Sequence, residues 1–111
     1  MFQWHGDTFA LPPQAKNFLA SSLCVRQAYV IERDAYAHLG MQFHCEMTPA
    51  LIRAWTSDST WLEEVEAERR GNGGPGVQNA EQMLDRVDAR CAAMNELAAR
   101  LYTRWSEGLV Q

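Results

Sequence analysis

The sequence has no long apolar run. Nowhere does it approach the about twenty consecutive apolar residues that span a bilayer, and its first residues lack the basic-then-apolar pattern of a secretory leader. A membrane is not an expected partner. Nor is there a surplus of positive charge: ten Lys and Arg against fourteen Asp and Glu give a net charge of −4. Residues 1–56 carry four basic and four acidic side chains, and residues 57–111 carry six and ten. The acidity therefore sits in the C-terminal part, and no basic stripe offers itself to a phosphate backbone. Nucleic acid is not an expected partner either. Cysteine is scarce: three in 111 residues, an odd number without framework spacing, which points to reduced thiols in a cytoplasmic protein. His38, His44, Cys45 and Glu46 do not have the ligand spacing of a zinc site. No metal or other cofactor is expected, and no internal repeat is visible.

What is present is an ordinary globular composition, 47% apolar and 22% charged, in a length that suits one small domain. Two regions differ within it: a β-rich part over residues 1–56 and a helical tail over residues 57–111 with a Gly-rich hinge at 71–76. In the first, "FQWH" (2–5) ends at the turn signal Gly6-Asp7, and "TFALPP" closes with a proline pair that must leave any ladder. "FLASSLCVRQAYVIE" (18–32) mixes β-branched and aromatic residues over Val25–Ile31, and "AYAHLGMQFH" (35–44) follows a turn at Arg33-Asp34. Several strands, three or four, are expected over residues 2–44. "MFQWHGD" is apolar and aromatic from its second residue, so the chain is expected to begin within a fold.

Helices are expected at about 49–56, 61–69 and 79–106. Thr48 before Pro49 reads as an N-cap with proline in the first turn. Thr60 with Glu63, and Asn79 with Gln82, have the spacing of capping boxes. The last helix shows an apolar stripe of Ala80, Leu84, Val87, Cys91, Met94, Ala98, Leu101 and Trp105, widened by Met83, Leu97 and Tyr102. Such a stripe serves either a dimer seam or a helix covering the sheet of its own domain. Period alone does not separate the two, although small Ala and Cys side chains favour close packing within the domain.

The stretch "MQFHCEMTP" (41–49) places His44, Cys45 and Glu46 in succession. If it is extended, His44 and Glu46 share one face, and Phe43 and Cys45 share the other. A carboxylate two residues along accepts a hydrogen bond from one imidazole nitrogen and leaves the second free to take a proton from a nucleophile. The same alternation turns the Cys45 thiol away from the imidazole. A single H-x-E spacing taken alone is more often a strand-end histidine and a solvated glutamate.

The motif has company. His5-Gly6-Asp7, Leu11-Pro12, Ala20-Ser21-Ser22, Arg26-Gln27-Ala28-Tyr29 and Gln42-Phe43-His44-Cys45-Glu46 with Thr48 follow one another in order. So ordered, they resemble the C-terminal part of class I glutamine amidotransferase domains, most of all the stand-alone group similar to the amidotransferase half of GMP synthase. The resemblance covers residues 2–56 closely and the helical tail only in general style. It implies an α/β fold, the C-terminal part of a flavodoxin-like domain. It also implies a Cys-His-Glu triad that hydrolyses the side-chain amide of glutamine, with His44 as general base and Glu46 orienting it. Glutamine or a γ-glutamyl compound is the implied substrate, and Trp4, His5 and Asp7 are implied near its pocket.

One family element is missing. The nucleophile of the family sits on a G-x-C-x-G elbow, and none of Cys24, Cys45 or Cys91 has that context. Cys24 lies in a strand-like run, Cys45 faces away from His44 and Cys91 is on the apolar face of the long helix; each reads as a small buried apolar residue. The chain is expected to be a fragment, inactive alone, that joins a missing N-terminal half. The alternative is a non-catalytic interaction module whose helical tail pairs with a second copy of itself or with a missing N-terminal half.

Overall fold

The structure, a computed structural model, describes residues 2–71 and 74–109. Contacts divide the chain into two compact units, one of Met1–Cys45 with Arg100–Gln111 and one of Glu46–Ala99. This division by contacts is drawn on different grounds from the compositional one at residue 56.

The first unit is built on a three-stranded antiparallel sheet, β1 (Lys16–Leu19), β2 (Ala28–Arg33) and β3 (Tyr36–Met41), in the order β1-β2-β3. β2 and β3 form a hairpin in regular register from Arg33 opposite Tyr36 to Ala28 opposite Met41. Its turn is Asp34-Ala35, with φ of 53° and 67°. Positive φ at both central residues is what a two-residue connection needs to match the strand twist. The turn thus lies one residue beyond the expected Arg33-Asp34.

The long run 18–32 is not one extended segment. β1 ends at Leu19 after a bulge between Asn17 and Leu19, and β2 begins only at Ala28. Ser21 explains the interruption. Its N–H donates to the Cys24 carbonyl (2.8 Å) and its hydroxyl accepts from the Cys24 N–H (3.0 Å), closing a local turn in place of a ladder. Asn17 then holds the exit of the turn by donating to the Val25 carbonyl at 2.8 Å. The expected strand over 2–5 reduces to a single bridge, Phe2 with His44.

One sheet face is covered by the N-terminal segment. The Phe9 ring lies against Tyr29 at 5.2 Å and 59°, and Arg26 donates to the Phe9 carbonyl at 2.9 Å. Gly40 stands directly opposite Tyr29, whose ring occupies the space a Cβ would need. Leu39 and Met41 line a cleft of about 200 Å³ with Leu101, Tyr102 and Trp105. Gln27, Ala28, Phe43 and Cys45 are buried.

The second unit is helical: α1 (Pro49–Thr56), α2 (Ser59–Arg70), α3 (Ala80–Leu84) and α4 from Val87, a helix that continues to Glu107. Thr48 caps α1 as expected, its hydroxyl accepting from the Leu51 N–H at 3.2 Å, with Pro49 in the first turn. The cap of α2 is Asp58, not Thr60: its carboxylate accepts from the Trp61 N–H at 3.0 Å, and the helix starts two residues earlier than expected. The Asp58 carboxylate opens the helix upstream of Thr60, which therefore lies inside the first turn and not at the cap. The Gly-rich hinge at 71–76 falls partly outside the described residues; Gly71 closes α2, and Gly74–Gly76 form a single 3-10 turn. Asn79 and Gln82 form the expected reciprocal box at 2.8 and 2.9 Å.

The helix expected over 79–106 is two helices. Asp85 leaves helical geometry with ψ of 117°, and Arg86 follows with φ of 49°. Arg90 reaches back over the break, donating to the Gln82 carbonyl at 3.1 Å and to the Asp85 carboxylate at 3.0 Å. That satisfies a carbonyl which a continuous helix would have bonded itself. Beyond the break the stripe holds its period: Val87, Cys91, Met94 and Ala98 are buried and form the core of this unit with Met47, Ile52 and Thr56. The Arg53–Asp88 ion pair (2.7 Å) and the Asn95 amide on the Met47 carbonyl (3.1 Å) flank it. No helix among the described residues is long and apolar enough to cross a membrane.

Candidate active site

β3 stops at Met41, so residues 42–46 leave the regular ladder. Side-chain alternation nevertheless survives in the burial: Phe43 and Cys45 are 9% and 2% exposed, His44 is half-buried and Glu46 is exposed. His44 is held from its backbone. Its N–H donates to the Phe2 carbonyl at 2.8 Å, and its own carbonyl accepts from the Phe2 N–H at 3.1 Å. The imidazole therefore projects from a pinned main chain, whereas Glu46 opens the second unit.

Trp4, His5 and Asp7 lie on a short loop anchored to the segment that follows β3 and carries His44. The Trp4 ring stacks on Phe2 (5.6 Å, 23°) beside the bridge. At the other end, the Gln42 side-chain amide donates to the Asp7 carbonyl at 2.6 Å, and His5 Nδ1 sits 2.9 Å from the same oxygen. Between them Gln27 Nε2 donates to Gln3 Oε1 at 2.7 Å. The structure thus brings the H-G-D element and the Q-F-H element together through the Gln42 amide, and the Gln27 amide holds Gln3 just before them. Spacing in the sequence offers those two glutamines only as members of their motifs. That their side chains grip residues 3–7 depends on folding.

None of the thiols occupies a strand-to-helix elbow. Cys24 lies in the turn before β2, half-buried, with its thiol 3.5 Å from the Arg26 carbonyl. Loop backbone thus replaces the strand expected at Cys24. Cys45 is buried with Sγ 4.0 Å from the Tyr102 hydroxyl. Cys91 is buried on α4, and its thiol is pushed above the ordinary range by burial first and then by the Asp88 carboxylate, against a smaller opposing effect of Arg53. A thiol that resists ionisation is a poor nucleophile. Among the described residues no group of three or more His, Cys, Asp and Glu side chains converges as a metal site would require.

No family model matches the chain, and no curated protein does. Among solved structures, the chain is similar to a glutamine amido transferase from Methylobacillus flagellatus, with 39% identity and a TM-score of 0.81. The match covers 99% of this chain and 43% of that one. This chain therefore spans less than half the length of its solved relative. The likeness supports the glutamine amidotransferase family, and the mixed fold of strands followed by helices agrees with it.

Proposed function

We propose that the chain supplies the histidine and glutamate of a Cys-His-Glu centre that hydrolyses the side-chain amide of glutamine to glutamate and ammonia. The observation that carries this reading is the 39% identity to a glutamine amido transferase over 99% of the chain. In this reading His44 is the general base and Glu46 sets its tautomer and orientation. A cysteine thiolate on a G-x-C-x-G elbow attacks the amide carbon, and ammonia departs with a proton delivered by His44. Water, deprotonated by the same imidazole, then resolves the thioester. The double backbone pairing of His44 with Phe2 favours such a role, because a base must be held within a narrow range of positions. The nucleophile is proposed to come from an N-terminal half outside these residues, in a class I domain of the stand-alone, GMP synthase-like group. The loop Trp4–Asp7 is proposed to border the glutamine pocket. A γ-glutamyl conjugate would engage the same groups.

Complementation tests the reading. The chain is co-expressed with the part of the Methylobacillus flagellatus protein that it leaves uncovered, and ammonia release from glutamine is measured. The complex is expected to release ammonia and the chain alone to release none. His44→Ala is expected to lower release by roughly 10²–10⁴-fold, the usual worth of a general base. Undiminished release by that variant would sink the role given to His44.

A second reading, a non-catalytic module pairing with its own copy, is favoured by one observation. Tyr102 and Trp105 on the cleft beside Leu39 and Met41 are 48% and 51% exposed. Sedimentation at micromolar concentration separates the readings: a dimer supports the module, and a folded monomer counts against it.

A further inference from the structure

Three buried polar atoms of the first unit have no hydrogen-bond partner among the described residues: His5 Nε2, Gln27 Oε1 and Gln42 Oε1. Their chemistry is alike. The Asp7 carbonyl can only accept, so His5 Nδ1 carries the hydrogen in their 2.9 Å contact, and in that tautomer Nε2 presents a lone pair. Gln42 uses its amide nitrogen on the same carbonyl at 2.6 Å, which leaves its oxygen as an acceptor. Gln27, only 1% exposed, directs its amide nitrogen to Gln3 Oε1 at 2.7 Å and to Ser21 Oγ at 3.5 Å, and its oxygen is likewise an acceptor. Their side chains meet at the same loop. The Gln42 N–H donates to the Gln27 carbonyl at 2.9 Å, both glutamine side chains reach the loop 3–7, and His5 and Gln42 meet at one oxygen.

We propose that His5, Gln27 and Gln42 form a binding site for one ammonium ion beneath the loop Gln3–Asp7. Three acceptors repel an anion. They are two amide oxygens and an imidazole nitrogen, which is not the carboxylate-rich oxygen set that a hard divalent cation requires. Neighbouring cationic side chains are engaged elsewhere, Arg26 on the Phe9 carbonyl and Lys16 on the Glu32 carboxylate. Ammonium presents four donors and no lone pair, so each acceptor receives a hydrogen and none faces another acceptor. A water molecule offers two donors and leaves the third acceptor opposite a lone pair. The inference deepens the proposed hydrolysis and rests on it for its meaning, since ammonium is the protonated form of the leaving group.

Binding is read without turnover. The ¹⁵N-labelled 111-residue chain is titrated with ammonium chloride, and separately with potassium chloride at matched ionic strength, near neutral pH. The side-chain amide signals of Gln27 and Gln42 and the ring signals of His5 are followed by NMR. Ammonium is expected to move them saturably in the millimolar range, and potassium to leave them in place. His5→Phe and Gln42→Met are each expected to abolish the saturable response of the remaining signals. If Gln42→Met does not fold, His5→Phe decides, because it alters a half-buried loop side chain outside the sheet. A non-saturating drift with ammonium, or equal responses to the two cations, overturns the proposal. Either result leaves the complementation assay untouched, so failure of this site and failure of the hydrolase reading are distinguishable.

Discussion

Gly40→Ala is a small change with a definite expected consequence. Gly40 faces Tyr29 across the β2–β3 ladder, and a Cβ at this position would meet Cε1, Cζ and Oη of the Tyr29 ring. The ring is not free to swing away, because Phe9 packs on it at 5.2 Å and is itself fixed by Arg26 through its carbonyl. Overpacking of this kind costs about 1–3 kcal/mol. Against it stands the entropy that glycine loses on folding, whose removal returns about 0.5–1 kcal/mol. The net expectation is a destabilisation of up to about 2.5 kcal/mol, read as a lower urea midpoint at unchanged slope. The decisive measurement is the double-mutant cycle with Tyr29→Leu. Once the ring is gone, only the entropic gain remains, and Gly40→Ala becomes neutral or slightly stabilising. The coupling should then be about 1–3 kcal/mol, well beyond the additivity error of about 0.3–0.5 kcal/mol. Strict additivity would refute the account of how Phe9 and Tyr29 pack on this sheet face.

Two further outcomes bear on the helical unit. Thr48→Ala removes the hydroxyl that accepts from the Leu51 N–H and is expected to cost about 1 kcal/mol in urea unfolding, with Thr48→Ser restoring most of it; equal losses in both variants would deny the cap its role. Cys91 has a folded-state pKa raised chiefly by burial. Its contribution is therefore fully present below the unfolded thiol's value, about 8.5, and is lost as pH rises from there through the raised folded value. Stability measured from neutral to alkaline pH should fall less steeply in Cys91→Ala than in the wild type; parallel curves would show that the thiol is not held protonated by its surroundings.

The exposed carboxylate of Glu32 illustrates why such signs need the structure. Its pKa is lowered by a hydrogen bond and ion pair to Lys16 across β1 and β2. Nothing about residues sixteen positions apart announces that pairing; the antiparallel register creates it.

The sequence by itself determined the features whose partners lie within one helical turn or one strand step. The Thr48–Pro49 start of α1 and the Asn79–Gln82 box depend on groups three residues apart, and the four-and-three spacing of Val87, Cys91, Met94 and Ala98 depends on the helical repeat alone. The burial alternation through Phe43, His44, Cys45 and Glu46 is local in the same sense. Tertiary structure decided the remainder. It split the apolar run 18–32 where Ser21 folds back on Cys24, and it broke the C-terminal helix at Asp85–Arg86, where Arg90 bonds across the gap. It also turned Gln27 and Gln42 from motif letters into the amides that hold Gln3 and Asp7 against the residues just before β2 and just after β3. The physical reason is common to these cases. A polar group takes whichever partner the folded chain brings within about 3 Å: for Gln27 and Gln42 that partner lies far along the chain, and at Ser21 and Arg90 it competes with the regular ladder or helix.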